Sequence, residues 1–192
     1  MAQRLDLRVA LPARQGAYPI LAQREGAVER TGIVLATREA TVSKLALTGD
    51  AAPPLRFALE ARLRALRPLA ERAASRTLSI DLTGDMMGFF WGINGKRYGE
   101  DTPLVVRSGE RVELVMRSRT TMSHPMHLHG HHFHVVAIND RRFGGAVRDT
   151  VLVALGSVAV AFDADNPGRW ALHCHNEYHM EAGMMTSLAY EA

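Results

Sequence analysis

The chain has only one cysteine, Cys174, in 192 residues. One thiol excludes an internal disulfide framework. Charge of one sign is also lacking. Net charge is +3, from 23 basic and 20 acidic residues, and no cluster is dense enough to imply a nucleic-acid partner. No apolar run reaches the length of a membrane span. The opening residues, Met1-Ala2-Gln3-Arg4-Leu5-Asp6-Leu7-Arg8, lack the apolar core of a signal peptide. Histidine is missing before His124, and all nine histidines lie there or later. What is present is a globular composition, 47 % hydrophobic and 22 % charged. Its length suits one domain with a proper core, or one and a half.

Polar–apolar alternation, punctuated by Gly16, Pro19, Gly26 and Gly32, predicts strands over 5–11, 18–23, 31–36 and 41–47. These are too few to close a sandwich. Residues 1–50 therefore read as a partial β domain. Pro53-Pro54 opens a linker over 51–75, with an arginine-rich helix over 55–65 that Pro68 interrupts. The plain reading of that helix is a solvated basic spacer. The sharper one is a docking surface for an acidic partner. From Arg76 the pattern becomes strongly β: Leu78, Ile80 and Leu82 alternate with polar residues. Phe89, Phe90 and Trp91 are expected to close one end of a barrel, with Met86 and Met87 packing rather than binding a soft ion. Segments 104–106 and 112–116 flank Arg107-Ser108-Gly109-Glu110, which reads as a hairpin-like turn. Further strands are expected over 147–153, 158–162 and 185–190. Asp163 to Gly168 reads as a plain turn, because Asn-Pro-Gly is strong turn chemistry. Roughly eight short strands separated by turns predict an all-β Greek-key sandwich or barrel over 76–192.

The chemistry lies in two stretches. One runs His173-Cys174-His175-Asn176-Glu177-Tyr178-His179-Met180-Glu181-Ala182-Gly183-Met184-Met185. Successive strand side chains point to opposite faces, so Cys174 faces one way and His173 and His175 the other. One strand can then serve two metal sites. The other stretch, His124-Pro125-Met126-His127-Leu128-His129-Gly130-His131-His132-Phe133-His134, supplies the remaining imidazoles. His124, Cys174, His179 and a methionine make a His₂Cys set with a weak axial thioether, the signature of blue copper. His127, His129, His173 and His175 make a second, all-imidazole set. Periodicity does not choose between Met184 and Met185. Zinc is the alternative, but structural zinc takes a closed tetrahedral set, and two abutting sites beside a thioether suit copper better. His131, His132 and His134 are expected to support the site or lie at the surface.

The HPMHLHGH and HCHNEYHMEAGMM stretches resemble the two copper motifs in the last domain of multicopper oxidases, over the residues from Arg76 on. The resemblance implies a cupredoxin fold for 76–192. It implies type 1 copper ligands at His124, Cys174, His179 and Met184, the Gly183-Met184 pairing choosing Met184. It further implies a type 2 ligand at His127 and type 3 ligands at His129, His173 and His175. The activity implied is that of a laccase-like oxidoreductase. Electrons from a small reducing substrate, a phenol or a metal ion, would pass through Cys174 and its neighbours His173 and His175 to a trinuclear copper cluster that reduces O₂ to water. Export to the periplasm or cell exterior is implied as well. More weakly, Gly16-Ala17-Tyr18-Pro19 and Thr31-Gly32-Ile33-Val34-Leu35 resemble the end of the family's middle domain. The sequence departs from the pattern twice. The family cluster is built on four histidine pairs, and only two occur here, so an N-terminal domain or another chain is expected to supply the rest. Many bacterial members have glutamate directly after the type 1 histidine, where this chain has Met180; Glu177 and Glu181 are the candidate substitutes. A mononuclear blue-copper electron carrier and an inactive fragment are the competing readings.

Overall fold

The computed structural model describes residues 8–53 and 58–191. Chain contacts divide it into two compact units with the break after Phe57.

In the first unit, β1 (Ala17–Gln23) and β2 (Arg30–Ala36) form an antiparallel hairpin, with Ile20 opposite Ile33. Gly26 takes φ 66° in its turn, which only a residue without a β-carbon adopts cheaply. Both strands fall within one residue of the alternation that predicted them. No residue over 8–53 is buried. The strand expected over 41–47 does not form. That stretch meets the hairpin only at its end, where Leu47 O accepts from the Arg30 N–H at 2.8 Å and Thr48 bridges Glu29. Without a neighbour along its length it has no ladder to join. Of the strand expected over 5–11, residues 5–7 lie outside the described residues and 8–11 are irregular.

In the second unit, the helix expected over 55–65 reduces, among the described residues, to one 3₁₀ turn, Glu60–Arg62; positions 55–57 lie outside them. The chain turns extended at Leu63, φ −65° and ψ 144°. Leu59 is 65 % exposed and Leu66 fully so, and a short helix whose apolar residues are not packed is marginal in water. An ion pair from Glu60 to Arg148 at 3.0 Å and the Ala65 N–H donating to Gly145 O at 2.9 Å fix this segment instead.

The strands that follow are β3 (Arg76–Asp85), β4 (Phe90–Ile93), β5 (Leu104–Val106), β6 (Arg111–Ser118), β7 (His124–Leu128), β8 (Phe133–Ile138), β9 (Arg141–Arg142), β10 (Val147–Arg148), β11 (Thr150–Val153), β12 (Gly156–Asp163) and β13 (Arg169–Cys174). A short helix α1 (Glu177–Glu181) and β14 (Met185–Tyr190) close the chain. One sheet runs β10-β8-β12-β6-β3-β4, with β9 beside β8; the other runs β11-β7-β13-β14-β5. β3 pairs parallel with β6, and β14 parallel with β5. From β4 to β8 and from β10 to β13 successive strands switch sheets, as crossing connections in a Greek-key sandwich do. The core draws Ile80, Leu82, Leu114, Met116, Phe133 and Phe162 from the first sheet and Met126, Leu128, Val153, Leu172 and Leu188 from the second.

Three expectations change here. The turn at 107–110 is real, with the Glu110 N–H donating to Arg107 O at 3.2 Å, but β5 and β6 lie in different sheets, so it is a crossing and not a hairpin. The strand expected over 147–153 breaks at Asp149: β10 pairs with β8 and β11 with β7. Among the aromatics, Trp91 is buried at 3 % exposure, but Phe89 is 72 % exposed and Met87 is 94 % exposed. They stand on the turn after β3, beyond the reach of the core.

Candidate metal centres

Strand parity builds both centres. β7 and β13 pair antiparallel, with His173 opposite His127 and Cys174 opposite Met126. His124, Met126 and Leu128 share the parity of Leu172 and Cys174, and all five are buried at 1 % or less. His127, His173 and their neighbours two residues on, His129 and His175, take the opposite face.

On the buried side, α1 brings His179 back beside Cys174. The His124 and His179 Nδ1 atoms lie 3.1 Å apart. Cys174 Sγ is 4.0 Å from the first and 3.8 Å from the second. Metal bonds of about 2.0 Å to nitrogen and 2.3 Å to sulfur give trigonal edges of roughly 3.5 and 3.7 Å, so this triangle fits one ion. Met184, fully buried, closes the loop: its N–H donates to His179 O at 2.8 Å, and its carbonyl accepts from the Cys174 N–H at 3.1 Å. Met185 is half-buried on the outside of the same loop.

The surroundings orient these groups. With Nδ1 turned to the centre, His124 donates from Nε2 to Thr120 Oγ1 at 2.6 Å, and that hydroxyl donates to Met122 O at 3.2 Å. The Asn176 N–H donates to Cys174 Sγ at 3.4 Å. The Trp91 indole stacks on the His179 ring at 3.8 Å between centroids and 22° between planes, and meets His124 edge-on at 5.6 Å. Burial pushes the His124 pKa down to about 4, with His179 adding to the effect, and lowers that of His179. It pushes the Cys174 thiol up to about 11. Near neutral pH the imidazoles are free to ligate, whereas the thiol gives up its proton only to a metal.

On the opposite face, His127 donates from Nδ1 to Asp149 O at 2.8 Å, and His173 from Nδ1 to Cys174 O at 3.0 Å. Both Nε2 atoms are thereby left as ligands. The His129 and His173 Nε2 atoms lie 3.0 Å apart. The ligand atoms of His127, His129 and His173 fall within 4.8 Å of one another. The His175 ring stands 5.3 Å from those of His127 and His173. An all-imidazole set of this kind suits copper. His129 is exposed and His127 and His175 are half-buried, so this set is open on one side.

Six of the eight expected ligand residues therefore have their ligand atoms gathered in the two predicted groups. The His175 ring stands beside the second, and the buried Met184 is bonded through its backbone beside the first. His131 is buried instead; its Nδ1 donates to His129 O at 3.2 Å, and its Nε2 accepts from the Tyr190 hydroxyl at 2.7 Å. His134 makes a 3.0 Å bond from Nε2 to Gly145 O, and His132 is exposed. Sequence reasoning missed Thr120, Asp149 and the place of Trp91 against His179. A lone threonine or a backbone carbonyl carries no spacing signal. The aromatic run did mark Trp91, but as packing.

The family described as multicopper oxidase matches residues 71–192. Multicopper oxidase MmcO of Mycobacterium tuberculosis is 34 % identical over 203 residues, taking in 99 % of this chain and 37 % of that protein. Copper resistance protein A of Pseudomonas syringae pv. tomato is 39 % identical over 121 residues, 62 % of this chain and 20 % of the relative. A solved multicopper oxidase from Campylobacter jejuni, described as a metallo-oxidase, superposes with a TM-score of 0.63 at 18 % identity, over 93 % of this chain and 41 % of that one. That likeness is one of fold, which is cupredoxin-like. The chain spans well under half the length of each of these relatives.

Proposed function

This chain belongs to the multicopper oxidase family, and from that premise we propose that it is the C-terminal, copper-binding portion of a laccase-like oxidase. His124, Cys174, His179 and Met184 are the type 1 ligands, His127 is a type 2 ligand, and His129, His173 and His175 serve the type 3 pair. The observation that carries this reading is the division of ligand atoms across β13: a buried His₂Cys triangle on one face and converging imidazoles on the other. Copper, when bound, cycles between two oxidation states and so supplies the one-electron chemistry that links a reducing substrate to O₂.

The chain's own residues do the rest. Cys174 is joined through the backbone to His173 and His175, so the two ligand sets are connected without a gap. Burial keeps the His124 and His179 rings neutral. Trp91 and Thr120 hold them in plane and exclude water. The open side of the imidazole face is where the two missing histidine pairs belong, supplied by an N-terminal domain or another chain. Residues 76–192 are the copper domain, and 1–50 the end of a preceding one. Among the described residues no helix is long and apolar enough to cross a membrane, and a periplasmic or extracellular setting follows from the family. A second reading, a mononuclear blue-copper carrier, draws on one observation: the His₂Cys set is complete and buried within this chain, while the imidazole set is open.

Copper reconstitution of the purified chain tests both readings, read by visible absorption, electron paramagnetic resonance and metal count. An intense thiolate band is expected. Cys174→Ser removes it while circular dichroism stays β-rich. His127→Ala keeps the band and removes only copper bound elsewhere. A band that survives Cys174→Ser, or one bleached by His127→Ala, overturns the division of ligands.

A further inference from the structure

We propose that the cleft on the outer side of the copper-ligand loop binds a small aromatic monocarboxylate, its ring against exposed aromatic side chains and its carboxylate on Arg97. Its role as the port for a reducing substrate rests on the type 1 reading above; the binding itself does not.

The cleft, about 390 Å³, is lined by Phe89, Arg97, Tyr98, Met180, Glu181 and Met185. That volume accommodates a single substituted ring. Met180 follows His179, and Met185 follows Met184. The loop thus turns its ligand side inward and the cleft side outward. An occupant would sit one residue from two copper ligands.

Arg97 is held ready. Its stem packs on Gly183, where a β-carbon would lie 2.8 Å from Arg97 Cβ and Cγ. The next residue's backbone is tied down, the Tyr98 N–H donating to Gly183 O at 3.0 Å. Its guanidinium lies over the Phe90 ring at 5.4 Å from the centroid. Among the described residues no ion pair to a carboxylate engages it, as is the case for several other surface arginines. A planar guanidinium pre-ordered in this way matches a carboxylate in two-point contact.

Phe89 provides a second, independent sign. It holds φ 45° and is 72 % exposed. Left-handed backbone is strained for a bulky residue, and no burial offsets it here. Tyr98, 50 % exposed, offers another aromatic ring. Exposed aromatic faces beside a cation fit a flat apolar ring with one negative substituent. The Glu181 carboxylate, exposed in the same cleft, can accept a hydrogen bond from a ring hydroxyl, and it disfavours a second negative charge. The thioethers of Met180 and Met185 would suit a soft metal cation, but Arg97 repels one.

The test uses redox-inert probes on the full copper-loaded chain and, in parallel, on the metal-free chain. Benzoate, methyl benzoate and benzylamine are titrated while the methionine methyl resonances are followed by NMR. Benzoate is expected to shift the Met180 and Met185 signals with a dissociation constant on the order of 1 mM, at least about fivefold tighter than methyl benzoate. Arg97→Gln is expected to bring benzoate down to the level of the ester and leave the ester unchanged. Phe89→Ala weakens both. Equal binding of the acid and the ester, preference for benzylamine, or no shift at either methionine overturns the proposal. The visible band of the same copper-loaded sample reports on the copper reading separately, so either can fail alone.

Discussion

Thr120 carries more of the buried centre than its size suggests. Its hydroxyl sits 2.6 Å from His124 Nε2, and groups that orient a metal-binding imidazole this way typically change affinity 10–100-fold when removed. Thr120→Val keeps the volume and deletes the bond. A loss of copper affinity in that range is expected from competition with a chelator; unchanged affinity would show that packing against Trp91 suffices. His124 also makes the metal-free protein acid-sensitive. Its pKa falls to about 4 in the folded chain, from an ordinary value near 6.5. On acidification the unfolded chain takes up the proton first. The stability is therefore whole above pH 6.5 and is lost as pH falls toward 4, by about 3 kcal/mol for this group. His127, His129, His175 and His179 are lowered by burial in the same direction. Urea denaturation of metal-free protein at pH 7 and pH 4 is expected to reveal the loss, and His124→Gln to reduce it. A flat profile would mean that the imidazoles are not buried.

Among the elements, the turn after β7 tolerates little change. Gly130 has φ 69°, and a β-carbon there would lie 2.3 Å from the Trp170 ring. Gly130→Ala combines left-handed strain with overpacking, a loss of roughly 2–4 kcal/mol, and displaces His129 next to it. A lower denaturation midpoint together with fewer bound copper ions is the expected result. Between β6 and β12, Arg111 is 6 % exposed and clamps Asp163 through Nε at 2.8 Å and a second nitrogen at 3.0 Å, while also donating to Ala70 O. The Asp163 carboxylate is partly exposed, so Arg111→Ala is expected to cost about 2–3 kcal/mol, toward the lower end for breaking a buried pair, with the visible copper band unaffected. Alternation made β3 legible in the sequence because it has one buried face, and the spacing of histidine and cysteine marked β7 and β13. The 55–65 helix and the 41–47 strand were misread because local pattern cannot supply a packing partner. The break at Asp149 was invisible because it comes from a carbonyl turning toward His127.

At the scale of the whole molecule, the first unit buries none of its described residues. Ile33 is 62 % and Leu47 74 % exposed. A two-stranded sheet with open edges and bare apolar side chains recruits a neighbour. The isolated chain is expected to associate as its concentration rises through the micromolar range, read by light scattering. A clean monomer throughout would mean that this surface tolerates water. The imidazole face, with His129 exposed and His127 and His175 half-buried, is open as well.

The sequence by itself determined the all-β class of the second unit and the partition of Cys174 and its flanking histidines between the two faces of β13. Strand periodicity is two, and a cysteine between two histidines must face away from both. Only the tertiary structure decided that Thr120 meets His124, that Trp91 stacks on His179, and that Arg97 lies over Phe90 beside a strained Phe89. The second of these depends on chain segments far apart in sequence meeting at one end of the sandwich, and no local pattern records such a meeting.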